Sequence, residues 1–422
     1  MHSDTLPPAA YEIAGKRWPK DAPGFPDAIA FAFEHRLRPR CLCRKNSDGQ
    51  GIEMYVARLM DGYIVKRMPN SGHHHAASCL SYEPPAESSG LGQVLGTAIV
   101  EDPATGETTL MLDFPLTKIP GRSRMPPAGV TSDSVTSDGT KLSLLGLLHY
   151  LWHQADLTRW YPGFVGKRHW ATVRRHLLAA AAPMLARGDP LVRRLYLPET
   201  FIVEQHDAIN ARRLAQWTPA LAQPGKANPL MLLIGEVKEI VPSRFGFKAI
   251  IKHVPDQAFA IDERLYRRLE RHFTTELELW GTDDAVRLIV IATFGVTHAG
   301  LPCIDALSLM TLTAEWIPIA NCFESHLVRS MVRGQRSFVK ALRYNHRADN
   351  DMACALLTDT AEAIEMFIHV DKGSRLAEPD AVHDSSSEVD KSWTWRPPQQ
   401  AFPPIPPKSS DRNFSNFRRL SA

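Results

Sequence analysis

Two pairs of soft donors stand out first. Cys41 and Cys43 form a C-x-C pair in "RPRCLCR", and His75 and Cys79 form an H-x3-C pair in "GHHHAASC". Thiolates and imidazoles in two pairs, each on a tight turn and separated by a small β element, are the usual layout of a tetrahedral Zn²⁺ site. Four protein ligands leave no open coordination position, so the expected role is structural, with metal binding supplying folding energy to a sheet that has little core of its own. His73 and His74 are alternatives to His75 as the fourth ligand. The competing reading has ordinary thiols and an exposed polar histidine turn.

A second set of residues is acidic. "CFESHLVRSMVRG" reads as an amphipathic helix carrying Glu324, followed by short apolar strands "SFVKALRY", "MACALLT" and "AIEMFIHV". Asp351 opens the second strand and Glu365 lies on the third, with 13 residues between them. Two carboxylates at the mouth of a hairpin can hold Mg²⁺, which polarises a phosphodiester and activates water. This order resembles the core of the PD-(D/E)XK nucleases. The resemblance implies metal binding by Asp351 and Glu365, with Glu324 as the helix acid that some members use. The family's lysine position holds Phe367, and its proline position holds Asn350. Lys340 is therefore the first candidate for a migrated catalytic lysine and Lys372 the second. Without one of them the fold is a degenerate, inactive nuclease core; an ordinary αβ subdomain with surface acids is the competing reading.

A third set is basic and aromatic. From Arg159 to Arg187 there are six Lys/Arg and no Asp or Glu, with Trp160, Tyr161, Phe164 and Trp170 interleaved. Cations neutralise phosphates and aromatic rings stack on bases, so Lys167, Arg168, Trp170, Arg174 and Arg175 are candidate nucleic-acid contacts. Two helices joined by about a dozen residues could present Arg174, Arg175 and His176 to a groove in the manner of a winged helix. The alternative is that the tryptophans are core and the basic face is merely solvated.

These sets need scaffolds. A chain of 422 residues is long for one core, and its 44% hydrophobic and 23% charged composition is that of a globular protein. The expectation is a multidomain α+β protein: an N-terminal arm (1–24), a zinc-stabilised β unit (25–120), a linker (121–140), a helical segment (141–197), a β-rich domain (198–320), a restriction-endonuclease-like α/β core (321–375) and a mostly disordered Pro/Ser-rich tail (376–422). "DAIAFAFEHRL" should be a helix, "IEMYVARL" and "GYIVKRM" a hairpin, and "LSLLGLLHYLWHQADL" and "KRHWATVRRHLLAAAAPMLAR" two helices. The β-rich part is expected to be interrupted by one charged helix, "DERLYRRLERHFTTEL". Trp393 and Trp395 are expected to dock locally.

No apolar run approaches the roughly 20 residues needed to span a bilayer, and no signal pattern opens the chain. The six cysteines show no disulfide spacing, so a cytoplasmic, reducing setting is expected, with no membrane partner. The net charge of +3 is too small to argue for nucleic acid by itself. DNA is the partner expected from the local clusters. The tail's "PPQQAFPPIPP" adds a polyproline segment for a protein partner.

The order "RPRCLCR", "MYVAR", "YIVKRMP", "HHHAASC", "YEPP", "SGLGQVLG", "LLHYLW", "VGKRHW", "VRRHLL", "FVKALRY", "LLTDT" and "WTW" resembles an uncharacterised bacterial family, domain of unknown function 1173. The resemblance covers most of residues 35 to 400. It implies a plasmid or integrative-conjugative-element context, with the metal pairs and the nuclease-like core in one architecture. It carries no catalytic assignment. The expected functions are a DNA-binding accessory protein, a metal-dependent nuclease, or an interaction scaffold.

Overall fold

The computed structural model describes residues 9–59, 62–85, 90–118, 140–223, 225–344, 352–370 and 392–409. The fold is α+β. Seven helices are described: α1 (Phe25–Glu34), α2 (Leu144–Gln154), α3 (Trp170–Ala181), α4 (His206–Trp217), α5 (Glu263–His272), α6 (Thr274–Thr282) and α7 (Cys322–Arg333). No helix among the described residues is long and apolar enough to cross a membrane.

The N-terminal sheet is antiparallel, in the order Lys16–Pro19, Ala10–Ile13, Arg40–Lys45, Gly51–Leu59, Gly62–Arg67. Its first two strands come from the segment expected to be an N-terminal arm, and Tyr11 and Ile13 are buried in its core. Phe25, Ala28, Ile29 and Ala32 recur at helical spacing, so α1 buries one stripe against this sheet, and Pro26 fits its first turn.

A second sheet joins Ile99–Glu101 and Thr108–Leu110 to Met184–Ala186 and Asp189–Pro190. Met184–Ala186 was expected as the tail of a helix. α3 instead stops at Ala181, because Pro183 lacks the N–H that a continued helix would use and its ring crowds the preceding turn. The freed strand pairs in parallel with Thr108–Leu110. This sheet therefore links segments from either side of the expected linker (121–140), of which all but residue 140 lies outside the described residues. α2 is a core element, with Leu147, Leu148, Tyr150, Leu151 and Trp152 completely buried.

The large central sheet closes on itself. Met231–Ser243 pairs with Gly246–Ile251 on one side and Arg287–Val296 on the other; Val254–Ile261 and Pro302–Leu312 complete the circuit. Its inward residues, among them Leu233, Val237, Phe259 and Phe294, form one core with Leu265 and Leu269 of α5. The charged helix is two helices that break at Phe273, and α4 is a helix the apolar pattern did not announce.

The last sheet runs Ser392–Trp395, Ile364–Ile368, Ala355–Leu357, Phe338–Lys340, Arg159–Trp160. The three strands after α7 form an antiparallel meander, and Ser392–Trp395 lies parallel to Ile364–Ile368. The stretch expected to hang free as a partner motif is docked. Trp393 Nε1 donates to Pro404 O (3.1 Å), Trp395 Nε1 to Gln400 O (3.0 Å), and Phe402 meets the Trp395 ring edge-on at 5.0 Å. Two largely buried indoles with their N–H groups satisfied, with Trp395 against Phe323 and Phe402 against His326, hold "PPQQAFPPIPP" against α7.

Candidate metal centre

A C-x-C pair on a strand points both side chains to one face, because successive residues alternate. The strand carrying Cys41 and Cys43 has a bulge against its neighbour between Cys41 and Lys45, which turns both sulfurs towards the loop at 72–79. That loop is a short 3₁₀ turn, Gly72–His74, followed by a turn in which Cys79 N donates to Ala76 O (2.8 Å). The ligand atoms of Cys41, Cys43, His75 and Cys79 all lie within 4.8 Å of one another. Cys41 Sγ is 3.8 Å from Cys79 Sγ, and His75 Nδ1 is 3.3 Å from Cys43 Sγ and 3.7 Å from Cys79 Sγ.

These spacings fit a tetrahedral ion. With metal–sulfur bonds of about 2.3 Å and metal–nitrogen bonds of about 2.0 Å, a tetrahedron has edges of about 3.8 Å between sulfurs and about 3.5 Å between sulfur and nitrogen. Cys41, His75 and Cys79 are buried, while Cys43 is the exposed ligand through which the site meets solvent. His73 and His74 are exposed, their tilted rings 4.0 Å apart, and His75 alone of the three reaches the cluster. Its Nε2 is buried without a hydrogen-bond partner, consistent with Nδ1 being the ligating atom. Hydrogen bonds from Cys41 and Cys43 hold the Cys79 thiol far below its ordinary range, and the Ser81 amide adds a donor at 3.4 Å. Cys41, bonded to Cys43 and Cys79 and buried, is pushed far above it. Metal binding at this set must release protons.

The glycine of "GHHHAASC" has a packing reason. A Cβ at Gly72 would lie 2.6 Å from Cβ of Glu83 and 3.0 Å from its amide nitrogen. Gly72→Ala is expected to push the histidine turn off Glu83 and cost about 1–3 kcal/mol, the usual penalty of overpacking. Metal titration followed by thermal melting checks this; unchanged metal affinity and melting temperature would reject it.

Glu83 anchors the metal loop to the rest of the chain. Its carboxylate accepts from Arg67 and from His153 Nε2 of α2, and Arg159 donates to the neighbouring Tyr82 carbonyl (3.0 Å). Burial alone would raise the Glu83 carboxyl, but Arg67 and His153 outweigh it and hold it at about 2.

The basic segment is mostly used internally. Trp170 is buried and its Nε1 donates to Pro198 O (2.8 Å). Arg168 donates to the carbonyls of Leu157 (3.0 Å) and Arg159 and lies 4.7 Å over the Phe164 ring; burial lowers its pKa to about 10. Arg174 Nε donates to Leu197 O (3.0 Å). Lys167 and Arg175 remain exposed.

The acidic set is brought together only in part. Lys340 Nζ and Glu324 Oε2 form a buried ion pair at 3.1 Å, and Glu324 also accepts from Ala320 N (2.9 Å) at the start of α7. Lys340 is paired with Ala355 and Ala355 with Met366, so these three share the face that packs on α7. Glu365 is paired with Leu356 and points to the opposite face. Asp351 and Lys372 lie outside the described residues.

A family model described as "Protein of unknown function (DUF1173)" matches residues 11–398. No curated protein and no solved structure matches the chain.

Proposed function

The chain belongs to the DUF1173 family, and on that premise we propose that it is a nucleic-acid-binding protein organised by a structural zinc ion, rather than an enzyme. The observation that carries this reading is the donor set itself. Three sulfurs and one imidazole nitrogen at tetrahedral spacing favour zinc over harder cations and leave no position for a substrate or an activated water. The partner is inferred from charge. Arg44 and Lys45 lie at the end of the metal strand and Arg36 precedes it, all exposed, and Lys167 and Arg175 are further exposed cations. A plasmid or conjugative-element setting, implied by the family resemblance, would supply DNA as that partner.

Mobility shift on DNA tests this reading. Binding should weaken steeply as salt rises, since each neutralised phosphate releases a counterion, and a protein that shifts neither single- nor double-stranded DNA at low salt would sink it.

The nuclease reading is second. It is supported by the helix and three-strand order and by the fourth strand, Ser392–Trp395, which continues the sheet in parallel. It is weakened because Lys340 is consumed by Glu324 across the sheet from Glu365. The expected result is that the zinc-loaded protein leaves plasmid and single-stranded DNA intact with Mg²⁺ or Mn²⁺. Cleavage abolished by Asp351→Ala and Glu365→Ala would reverse the ranking.

A further inference from the structure

The closed barrel has a specific connectivity. Taking Met231–Ser243, Gly246–Ile251, Val254–Ile261, Arg287–Val296 and Pro302–Leu312 as first to fifth, the pairing order is first, second, third, fifth, fourth and back to first. The third and fifth strands are parallel, and α5 and α6 lie between the third and fourth. This is the connectivity of the oligonucleotide/oligosaccharide-binding barrel. In such barrels ligand lies on the outer face of the second and third strands, between the loop joining strands one and two and the loop joining strands four and five. A fold does not by itself assign a function, so the residues must decide.

The outer wall made by the first, fourth and fifth strands is closed off. Leu232, Ile234, Ile289, Ile291 and Met310 pack into the core that contains α2 and α3. The wall made by the second and third strands is open, and Lys248 and Ala260, paired across it, are exposed. No ion pair or hydrogen bond holds Lys248 among the described residues.

Two loops bracket this wall with apolar side chains. The turn between the first two strands is Arg244–Phe245. Phe245 is 82% exposed, and the Arg244 guanidinium lies 5.3 Å over its ring. Tight turns favour small polar residues, and nothing in the folded chain gains from a phenylalanine held in water there. On the other side, residues 297–301 end in Leu301, 54% exposed, and lead into Cys303, which pairs with Ala260. From the row Lys248, Ala260, Cys303, Phe245 lies three residues one way and Leu301 two residues the other. At a rise of about 3.3 Å per residue they stand about 16 Å apart along the strands.

The floor between them is shallow, carries an unpaired cation and has small alanines at 258 and 260. Cations argue for a polyanion over a neutral glycan. A protruding aromatic ring can stack only on bases that are not already paired, which argues for a single strand over a duplex. We propose that this face of the barrel binds single-stranded nucleic acid, with Phe245 stacking on a base and Arg244 and Lys248 contacting phosphates. The proposal rests on the nucleic-acid-binding reading and adds to it the surface and the strandedness.

The test uses the full-length, zinc-loaded chain, a fluorescent 20-nucleotide oligo(dT) and a duplex of equal length, read by anisotropy over a salt series. Phe245→Ala/Lys248→Ala alters only exposed side chains, and circular dichroism checks its fold. The wild type should prefer the single strand. The double variant should lose about ten- to a hundredfold in affinity for it, the range expected for one stacked base, and its salt dependence should flatten by about 0.7 in log–log slope for one lost phosphate contact. A folded variant that binds oligo(dT) as the wild type does, or a wild type that prefers duplex, would overturn the assignment of this face and leave the broader reading standing. A wild type that binds neither probe at low salt would overturn both.

Discussion

Replacing Cys41 with serine is expected to release the metal and unfold the N-terminal sheet. Cys41 is buried, and its sulfur is one corner of the donor tetrahedron. A hydroxyl is a far weaker zinc ligand than a thiolate, and three remaining donors leave the ion open to water. The sheet has little to fall back on. Its core holds eleven buried residues, and two of these are the ligands Cys41 and Cys79. Structural zinc contributes about 10–16 kcal/mol of binding free energy in small metal-folded units near neutral pH, and in such units that energy is folding energy. Metal content should fall from one equivalent to none, and limited proteolysis should begin between residues 9 and 85. The core around α2 and the central barrel is separate from this one and should survive. A serine variant that keeps one zinc per chain and the same proteolytic pattern would show that Cys41 is not a ligand.

Glu83→Gln should be the most damaging single change away from the metal ligands. The carboxylate neutralises Arg67 from the N-terminal sheet and accepts from His153 on α2, and Arg159, from the last sheet, is close enough to contribute. An amide keeps the shape and loses the charge, leaving the half-buried Arg67 guanidinium without its anion. Breaking one side of a buried ion pair costs about 3–5 kcal/mol. The pH dependence has a definite sign. Because the folded carboxyl sits at about 2 and the ordinary value is 4.5, its stabilisation is complete above the ordinary value and is lost as pH falls towards 2. That contribution is about 3 kcal/mol at neutral pH. Denaturant melts at pH 7 and pH 3 should therefore show wild-type stability falling towards that of the variant, and parallel pH profiles for the two proteins would contradict the assignment.

The metal centre was legible in the sequence because its information is local. C-x-C and H-x3-C are short spacings, and a strand and a turn suffice to aim each pair. The H-x3-C spacing pointed to His75 as the fourth ligand, and the structure gathers His75 with the three cysteines while His73 and His74 stay exposed. The helices α1, α2 and α7 and the hairpin of Gly51–Leu59 with Gly62–Arg67 follow from apolar periodicity. Barrel closure does not, because the pairing of Met231–Glu236 with Ile289–Phe294 is non-local and both strands read as plain apolar runs. In the basic segment composition counts charges but cannot say that Arg168 and Arg174 donate to backbone carbonyls while Lys167 and Arg175 stay exposed. The local docking of Trp393 and Trp395 was legible from two tryptophans in a polar, proline-rich stretch, but the part of Phe402 in that dock was not.

X-ray absorption at the zinc edge of the purified, full-length chain measures the ligand set most directly. The expected result is one zinc per chain, with three sulfur neighbours at about 2.3 Å and one nitrogen at about 2.0 Å, and no water. A shell dominated by oxygen and nitrogen, fewer than three sulfurs, or a chain that retains no metal after purification in zinc would contradict a structural S₃N centre formed by Cys41, Cys43, Cys79 and His75.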